Sequence, residues 1–336
     1  MITPRPSKTT LPSFNAGRTD ATVDSRETGM SAHSNDQISV CICTFHRDAM
    51  LARLLRMLAA QDTSNLFQVL VVVVDNDSAG PSRNLVMGLC EELGLQVKYE
   101  VEPVRTIAAA RNHALRLAEG NFIAMIDDDE FPPSNWLLTM YRAIQTFDVD
   151  GVLGPVRPFF EQQPPAWLMR GEFSGAPAYP TGTLLRWQQT YAGNALLKAE
   201  VCSERNVRFD ESYTIGGEDQ VFFRKAMQAG CRFVAVEEGT VYEIVPPERW
   251  TKKYYLRRAI ANGFNAHKAE LSQAWSLSRI TTPLKSVVAV CAYAVVLPFT
   301  PLFGDHVLVS VLEKFGHHLS RLFATVHVQL LKERGF

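Results

Sequence analysis

The chain has 336 residues, of which 46% are hydrophobic and 21% are charged. This composition is typical of a globular protein, which excludes collagenous, coiled-coil and wholly disordered proteins. At roughly 150 residues per domain, the length allows two domains, or one large α/β domain with an appendage. Long apolar runs are too few for a membrane protein with several spans.

Charge is distributed unevenly along the chain. The formal net charge is −1, but residues 245–336 carry 12 basic and 5 acidic side chains. A basic C-terminal end predicts contact with an anionic partner, either a bilayer surface or a phosphorylated acceptor. Specific nucleic-acid binding needs a broader basic face, so we predict no nucleic-acid partner.

The first 37 residues are polar and contain no apolar run. They predict a disordered leader without a secretory signal. From residue 38 the pattern changes to alternating strands and helices. Ile38–Cys43 is the first predicted strand, and leucines at helical spacing follow it. Phe67–Val74 is a continuous β-branched run, which is typical of a strand buried on both faces of a parallel sheet.

The alternation continues through residue 147. The predicted helices are Asn84–Leu93, Thr106–Glu119 and one capped by Ser134 that runs through Phe147; the strands are Leu95–Val101 and Phe122–Ile126. This order predicts an α/β fold with a doubly wound sheet. In such a sheet, ligands bind at the carboxyl ends of the strands.

The second half is less regular. Prolines after Gly151 predict loops and short antiparallel strands. A helix over Glu218–Gly230 and strands near Arg232–Val236 and Thr240–Ile244 follow.

The C-terminal residues differ again. Ser286–Gly304 carries no charge, which places it at the lower length limit for crossing a bilayer, and two prolines interrupt it. Residues 308–326 predict an amphipathic helix that lies on a membrane; the alternative is a stripe packed on the rest of the chain. We favour surface or re-entrant binding over a full span.

The most informative motif is the acidic run Asp127–Glu130, directly after the strand Phe122–Ile126. Four adjacent carboxylates repel one another, and this repulsion lowers stability. Such a run is therefore expected where a function requires it or where a solvated loop screens the charges. Mg²⁺ and Mn²⁺ take few carboxylates together with substrate phosphate oxygens. The run therefore predicts a metal and diphosphate site, with a solvated loop as the alternative.

Two further acidic segments follow the same logic. Asp75 comes directly after a strand and can accept hydrogen bonds from a nucleobase or a ribose, although a plain turn explains it equally well. Gly216-Gly217-Glu218-Asp219 opens a helix. Helix capping explains one of its acids, and the pair predicts a general base.

Neither a P-loop nor a dinucleotide-binding fingerprint is present in the sequence. Phosphate must then be bound through a metal and arginine. Arg111, on the helix after the third strand, is the natural arginine candidate. A solvated helix face is the alternative at this position.

Taken together, the motifs resemble family 2 glycosyltransferases of GT-A fold. The shared motifs are Val40–Arg47, Val74–Asp77, Ala110–Asn112, Ile126–Asp129 and Gly217–Asp219. A narrower set resembles the ExoM-type enzymes of bacterial exopolysaccharide assembly. It comprises Asp127–Glu130, Trp136, Leu153–Pro155, Ala166–Trp167, Tyr191–Asn194, Gly216–Asp219 and Pro246–Arg249. The resemblance covers about residues 38–265.

This resemblance implies a mixed GT-A sheet flanked by helices over residues 38–265, and the apolar and amphipathic segments after it predict a helical, membrane-associated region over 266–336. The resemblance also implies roles for individual residues. Donor nucleotide binding falls to Thr44, Arg47, Asp75, Asp77, Arg111, Asp127 and Asp128; Mn²⁺ or Mg²⁺ binding to Asp129 and Asp127; catalysis to Asp219 as base, with Glu218 beside it; and acceptor binding to Trp167 and Asn194. The basic run that contains Arg249, Arg257 and Arg258 predicts contact with a lipid diphosphate or anionic headgroups, with a solvated helix face as the alternative.

The implied reaction is an inverting, metal-dependent transfer of a sugar from a nucleotide-sugar, usually a UDP-sugar. The implied acceptor is a lipid-linked oligosaccharide, at the cytoplasmic face of the bacterial inner membrane, with other polysaccharide-assembly enzymes as partners. Pro246 stands where processive synthases have Gln, which favours one sugar per encounter. The alternatives are a nucleotidyltransferase with two-metal chemistry and a non-catalytic scaffold that binds sugar nucleotides.

Overall fold

The computed structural model describes residues 36–171, 173–271 and 278–326, together with 328 and 330. Residues 1–35 of the predicted leader lie outside the described residues, and Gln37 already belongs to the first strand. The strands are β1 (Gln37–Thr44), β2 (Gln68–Asp75), β3 (Gln96–Val101), β4 (Phe122–Ile126), β5 (Glu130–Phe131), β6 (Gly151–Leu153), β7 (Val156–Phe159), β8 (Asn194–Lys198), β9 (Phe233–Ala235) and β10 (Val241–Ile244).

Helices alternate with these strands and then continue alone after β10. They are α1 (Asp48–Ala59), α2 (Arg83–Leu93), α3 (Ile107–Leu117), α4 (Trp136–Phe147), α5 (Ala166–Gly171), α6 (Glu200–Ser203), α7 (Glu218–Gln228), α8 (Lys252–Leu271), α9 (Ser278–Val296) and α10 (Asp305–Thr325). Short 3₁₀ turns follow β10 and α9, at Pro247–Arg249 and Leu297–Phe303.

Seven strands form one mixed sheet in the order β3-β2-β1-β4-β8-β6-β9. The strands β1 to β4 are parallel, and β8 runs antiparallel to both β4 and β6. The last six residues of β2 are all buried, because helices cover both faces of the sheet. The prediction of an α/β fold with a mixed sheet is therefore confirmed.

The two faces of the sheet hold separate hydrophobic cores. Val71 and Val73 of β2 pack with α1 and α2, whereas Val72 and Val74 point to the opposite face and pack with α3 and α7. This division follows from the two-residue period of a strand. The β-branched run therefore positions the carboxyl end of β2 rigidly beside those of β1 and β4.

A second, three-stranded sheet has the order β5-β10-β7. Strand β10 is antiparallel to β5 but parallel to β7. The prediction of short antiparallel strands after Gly151 therefore holds for the β6–β8 pair but not for the β7–β10 and β6–β9 pairs. The chain between β7 and β10 is long enough for the crossover that parallel strands need. Because β5 directly follows the acidic run, this small sheet borders the carboxyl end of β4.

The predicted cap of α4 is also wrong. The helix begins at Trp136, and no side chain caps its first turn. The backbone carbonyl of Ser134 instead accepts a hydrogen bond from the Asp62 N–H at 2.7 Å. Ser134 thus lies in the turn before the helix and ties it to the loop after α1.

Helices α8 and α10 cross at two glycines. A Cβ atom on Gly263 of α8 would overlap the backbone oxygen of His317, and one on Gly316 of α10 would lie 2.7 Å from Leu256. Only glycine permits this approach of the two backbones. The predicted boundary at residue 265 lies within α8, so the C-terminal helices are attached through a continuous helix.

Helix α9 exposes a large apolar surface. Thr281–Phe303 is a 23-residue segment with a mean hydropathy of 2.0, and only 11% of its apolar window is buried. Exposed apolar side chains include Leu284, Val288 and Val295 on α9, and Phe299 and Leu302 in the 3₁₀ turn that follows it. The predicted stripe on α10 is instead mostly half-buried between α8 and α9. The unpartnered apolar face therefore belongs to α9 rather than to α10.

Candidate active site

A cleft of about 390 Å³ opens at the carboxyl ends of β1, β2 and β4. This is where the α/β topology places a ligand. Its walls include Thr44, Asn76, Arg111, Asp127, Asp128, Asp129, Gly216, Glu243 and Arg249. These residues come from six segments of the chain, so the fold assembles the cleft from distant parts of the sequence.

The acidic run forms a tight turn in which basic groups compensate the buried charge. Asp128 accepts hydrogen bonds from the Thr44 hydroxyl at 2.8 Å and from Arg47 at 2.7 Å. Asp129 accepts from Arg47 at 2.9 Å and from Arg249 at 3.2 Å. Adjacent buried carboxylates are tolerated only with such partners.

Glu130, the fourth acid of the run, has a structural role. Glu130 is buried, and its carboxylate accepts the backbone N–H of Asp127 at 3.0 Å, which closes the turn. Burial raises the pKa of Glu130 well above its ordinary value. Burial likewise raises the pKa of Asp128 to about 6, against the opposing charge of Arg47. The turn thus positions Asp127 and Asp129 at the cleft.

Arg111 connects the acidic turn to α7. The Thr106 hydroxyl caps α3 by accepting the Ala109 N–H at 3.2 Å, which starts the helix one turn before Arg111. The guanidinium of Arg111 donates to Asp127 at 2.9 Å and to Glu218 at 2.7 Å. One buried cation therefore holds carboxylates from two distant segments together.

Gly216 and Gly217 bring the start of α7 to the cleft. Their φ angles are +98° and +87°, a left-handed conformation that strains any other residue. Gly216 lines the cleft, whereas Glu218 is buried and bonded to Arg111. Asp219 is half-buried, accepts the Gln220 N–H at 2.7 Å, and is not among the lining residues.

Both acids at the start of α7 have a raised pKa, so they hold a proton more tightly than ordinary carboxylates do. Burial raises the pKa of Glu218 to about 7, and Arg111 opposes this rise. Burial also raises the pKa of Asp219, again against Arg111. One carboxylate oxygen of Glu218, Oε2, is buried with no hydrogen-bond partner in the described part of the chain. A raised pKa beside a ligand cleft is typical of proton-transfer groups.

Asp75 lies beneath the cleft rather than in it. It is fully buried and accepts the backbone N–H groups of Asp77 and Ser82, both at 3.1 Å, and the Tyr99 hydroxyl at 2.7 Å. These bonds fix the loop that follows β2. The carboxylate of Asp75 is satisfied within the protein, and its nucleoside contact stays a prediction.

The neighbouring Asn76 lines the cleft instead. Its amide nitrogen donates to the carbonyls of Glu102 and Val104 at 2.9 and 2.8 Å. Sequence reasoning missed Asn76, although its position directly after the strand was the available signal. Asp77 pairs with His46 at 2.7 Å and joins the loops after β1 and β2 outside the cleft.

The predicted acceptor residues do not share one location. Asn194 is fully buried, accepts from Trp136 at 2.9 Å, and donates to the carbonyls of Pro155 and Gly239. We assign Asn194 a structural role, because all of its polar groups are satisfied within the protein. Trp167 packs edge-on against Tyr255 with ring centroids 5.8 Å apart.

The three predicted arginines also separate. Arg249 lies in the cleft, where it donates to Glu243 at 2.6 Å as well as to Asp129. Arg258 donates to the carbonyl of Phe173 and to Glu313, outside the cleft. Arg257 is exposed on α8.

The acidic turn fits a divalent ion that is shared with a phosphate ligand. No group of three or more His, Cys, Asp or Glu side chains could hold a metal within the described ranges. Asp127 and Asp129 each use one carboxylate oxygen for arginine, and no described residue donates to the other. Mg²⁺ and Mn²⁺ bind through one or two carboxylates when phosphate oxygens complete the coordination.

A mixed α/β sheet with an acidic turn after its fourth strand, at the ligand edge, defines the GT-A glycosyltransferase fold. Two solved structures have the same fold. Staphylococcus aureus TarS 1–349 in complex with UDP gives a TM-score of 0.51 at 18% identity, over 87% of this chain and 92% of that one. The mannosyltransferase PcManGT from Pyrobaculum calidifontis gives 0.52 at 20% identity, over 89% and 77%.

Sequence similarity assigns the chain to a family, which is narrower than the fold. It is 34% identical over 270 residues to the succinoglycan biosynthesis protein ExoM of Rhizobium meliloti, which covers 78% of this chain and 85% of that protein. Residues 39–203 match the family described as Glycosyl transferase family 2. The chain belongs to glycosyl transferase family 2, and it is a glycosyltransferase.

A more distant relative is the chondroitin synthase of Escherichia coli. It is 24% identical over 243 residues, which is 63% of this chain but 35% of that protein. Family membership confirms the predicted resemblance and favours sugar transfer over the nucleotidyltransferase and scaffold alternatives.

Proposed function

We propose that this glycosyltransferase moves one sugar from a nucleotide-sugar to an acceptor hydroxyl with inversion at the anomeric carbon. The observation that carries the proposal is the pair of hydrogen bonds from Arg111 to Asp127 and Glu218. They join the acidic turn, α3 and the start of α7 around one cleft. A donor diphosphate and a proton acceptor are both needed there for direct displacement.

The donor is a nucleotide-sugar, with a UDP-sugar favoured. Structures of TarS have been solved with UDP and with UDP-GlcNAc, and PcManGT has been solved with GDP-Man and Mn²⁺. In this chain, Thr44, Arg47, Asn76 and Asp128 would surround the nucleotide. Asp75 and Asp77 support that site from below through the loop they fix.

Asp127 and Asp129 would hold Mn²⁺ or Mg²⁺, which would offset the negative charge that develops on the leaving diphosphate. The protein itself contributes Arg47, Arg111 and Arg249 to the same region. Guanidinium groups bind phosphate oxygens in a bidentate manner and remain charged at every relevant pH. The three arginines therefore orient the diphosphate, which is the leaving group of the reaction.

Asp219 serves as the base. It takes the proton from the acceptor hydroxyl, whose oxygen bonds to the anomeric carbon while the bond to the nucleotide diphosphate breaks. Its raised pKa makes it a stronger proton acceptor than an ordinary carboxylate. Glu218, bonded to Arg111, holds that arginine at Asp127. A single displacement of this kind inverts the configuration.

The acceptor is a lipid-linked saccharide. The name of the relative ExoM, a succinoglycan biosynthesis protein, supports a role in exopolysaccharide or surface polysaccharide synthesis. The enzyme adds one sugar per encounter, since Pro246 replaces the Gln of processive synthases. Its place is the cytoplasmic face of the bacterial inner membrane, beside other polysaccharide-assembly enzymes. The exposed apolar face of α9 supports insertion into that bilayer as a surface or re-entrant segment.

Cys291 provides a native probe of membrane insertion, because it is an exposed free cysteine on α9. We expect a water-soluble maleimide to label Cys291 rapidly in detergent-free solution and slowly after addition of anionic phospholipid vesicles. The Cys291→Ser variant should lose the rapid labelling. Equal labelling rates with and without vesicles would contradict insertion.

The reaction itself is tested by a donor screen. Purified protein with Mn²⁺ is given UDP-, GDP- and TDP-sugars, and release of the nucleoside diphosphate is measured. We expect release from one class of nucleotide-sugar. Release of pyrophosphate from a nucleoside triphosphate, with none from any nucleotide-sugar, would contradict the proposal.

A further inference from the structure

Two adjoining cavities lie outside the cleft. The first, of about 460 Å³, lies next to β7 and has Arg157, Phe160 and Met169 in its wall. The second, of about 420 Å³, has Arg258 of α8 and Lys314 of α10 in its wall. Phe173 and Gly175 line both cavities, and we call the two neighbouring cavities together the side groove.

One end of the side groove lies on the other side of a strand pair from the catalytic cleft. Pro158 of β7 lines the groove, and it pairs in register with Glu243 of β10, which lines the cleft. Paired strands lie about 4.8 Å apart, so this strand pair separates the two spaces. Phe160 in the groove also packs against Trp250, with ring centroids 6.0 Å apart, and Trp250 follows Arg249 of the cleft.

The other end reaches α9. His318 of α10 lines the second cavity, and its imidazole lies 3.2 Å from the Ser286 hydroxyl of α9. The same ring stacks on Tyr293 of α9, with centroids 6.2 Å apart. The side groove therefore extends from the helix with the exposed apolar face to the strand pair that borders the cleft.

The side groove combines apolar walls with positive charge. Arg157 and Lys314 are exposed, and neither forms an ion pair with any residue that the structure describes. Arg258 is balanced by Glu313 at 3.1 Å. Burial lowers the pKa of His317 to about 4, so this ring is neutral at pH 7. Apolar walls with unbalanced cations suit an amphiphilic anion.

We propose that the side groove binds the acceptor, a membrane lipid whose phosphate carries the saccharide. The phosphate lies at Lys314 and Arg258, near α9, and the saccharide extends along Phe173 and Phe160 and then across the β7–β10 strand pair to Glu243 at the cleft. This placement rests on the proposed function, because it takes the acceptor to be lipid-linked.

The test uses the full chain in detergent micelles and labelled farnesyl diphosphate as the probe. We expect Lys314→Glu and Arg258→Glu each to weaken probe binding about tenfold, because each replaces an attraction for the phosphate with a repulsion. Lys253→Glu is the matched control: Lys253 is exposed on α8 but lines neither cavity, so its variant should bind like the wild type. Unchanged binding by both groove variants would overturn the proposal.

Displacement of the probe by unlabelled competitors distinguishes the possible ligands of the side groove. UDP should not displace the probe, and displacement by UDP would place the probe in the donor cleft and overturn the proposal. Inorganic pyrophosphate should compete only weakly, because it lacks the apolar part. Competition by pyrophosphate as strong as by unlabelled farnesyl diphosphate would show a site for free anions and would also overturn it.

The proposed function has a separate readout in the same preparation. Release of the nucleoside diphosphate from a nucleotide-sugar by the wild type, without lipid, tests the donor reaction alone. If no nucleotide-sugar is cleaved, the proposed function fails whatever the probe does. If cleavage is normal and the groove variants bind the probe like the wild type, only the side groove proposal fails.

Discussion

Arg249 and Asp129 lie 120 positions apart in the sequence and are joined by a hydrogen bond of 3.2 Å. Asp129 also accepts from Arg47 at 2.9 Å, so two guanidinium groups balance its charge within the protein. A divalent ion at Asp129 must compete with both arginines. The metal affinity that we propose for the acidic turn therefore depends on residues that come from other segments.

Arg249→Ala should strengthen metal binding and slow turnover. Removal of a cation beside Asp129 lowers the electrostatic competition, so the Mn²⁺ concentration for half-maximal donor binding should fall about threefold to tenfold. The maximal rate should fall, because Arg249 no longer supports the diphosphate. A Mn²⁺ titration of donor binding and of rate measures both effects. Arg257→Ala, exposed on α8, is the control, and an equal response of the two variants would contradict the prediction.

Asp219→Asn should keep donor binding and lose sugar transfer. The amide cannot accept the acceptor's proton, and loss of a general base costs about 100-fold or more in rate. Asp210→Asn is the control, because Asp210 is an acid that bonds to Ser212 and Lys225 outside the cleft. A rate above a tenth of wild type in the Asp219 variant would remove Asp219 from the role of base.

The stability of the protein should fall as pH rises through neutrality. Folding raises the pKa of Glu218 from 4.5 to about 7, so the folded state binds its proton more tightly than the unfolded state does. The stability from this group is complete below about pH 4.5 and is lost as pH rises through about 7. The loss is on the order of 1–3 kcal/mol.

Glu218→Gln isolates this contribution. Thermal unfolding of wild type and variant between pH 5 and pH 8 should give a shallower pH dependence in the variant, because its amide does not titrate. Other buried acids, such as Asp128 with its pKa of about 6, contribute equally to both proteins. Parallel curves would show that Glu218 keeps an ordinary pKa in the folded state.

Tyr99→Phe tests whether Asp75 anchors the loop or binds the nucleoside. Tyr99 donates to Asp75 at 2.7 Å, and its loss should cost about 1–2 kcal/mol of stability. Donor affinity should change less than about twofold, because Asp75 retains its two backbone donors and Asn76 still lines the cleft. Weaker donor binding without any loss in thermal stability would restore Asp75 as a direct ligand.

Gly263→Ala should disrupt the crossing of α8 and α10. The added methyl group overlaps the backbone oxygen of His317, so we expect the free energy of unfolding to fall by about 1–3 kcal/mol. We also expect faster proteolysis of the C-terminal helices. Gly88→Ala on α2 is the control, because nothing lies within 4 Å of its new methyl group. That variant should be unchanged or more stable by about 0.5–1 kcal/mol. Similar behaviour of the two variants would contradict the assigned crossing.

Most elements of the sheet could be predicted because their signals are local. The β-branched run of β2 and the leucine spacing of α1 report burial directly, and the acidic run marks the end of β4. The cleft could be predicted for the same reason. Strand ends in a parallel sheet meet at one edge, so polar residues after β1, β2 and β4 converge there.

The partners of the site residues could not be predicted from local pattern. Asp75 and Asn76 are adjacent and both polar, and only the contacts of Tyr99 and the loop show which one faces the cleft. The same holds for Asn194, whose three bonds come from separate parts of the chain. Such pairings depend on tertiary packing, which neither periodicity nor spacing reports.

The glycine crossing of α8 and α10 has a mechanical consequence. In the proposed membrane-bound state, this close crossing would hold the donor cleft at a fixed distance from the lipid headgroups. An enzyme built like this would select acceptors by their length as well as by their chemistry. A saccharide too short to span that distance would stay out of reach of the transferred sugar.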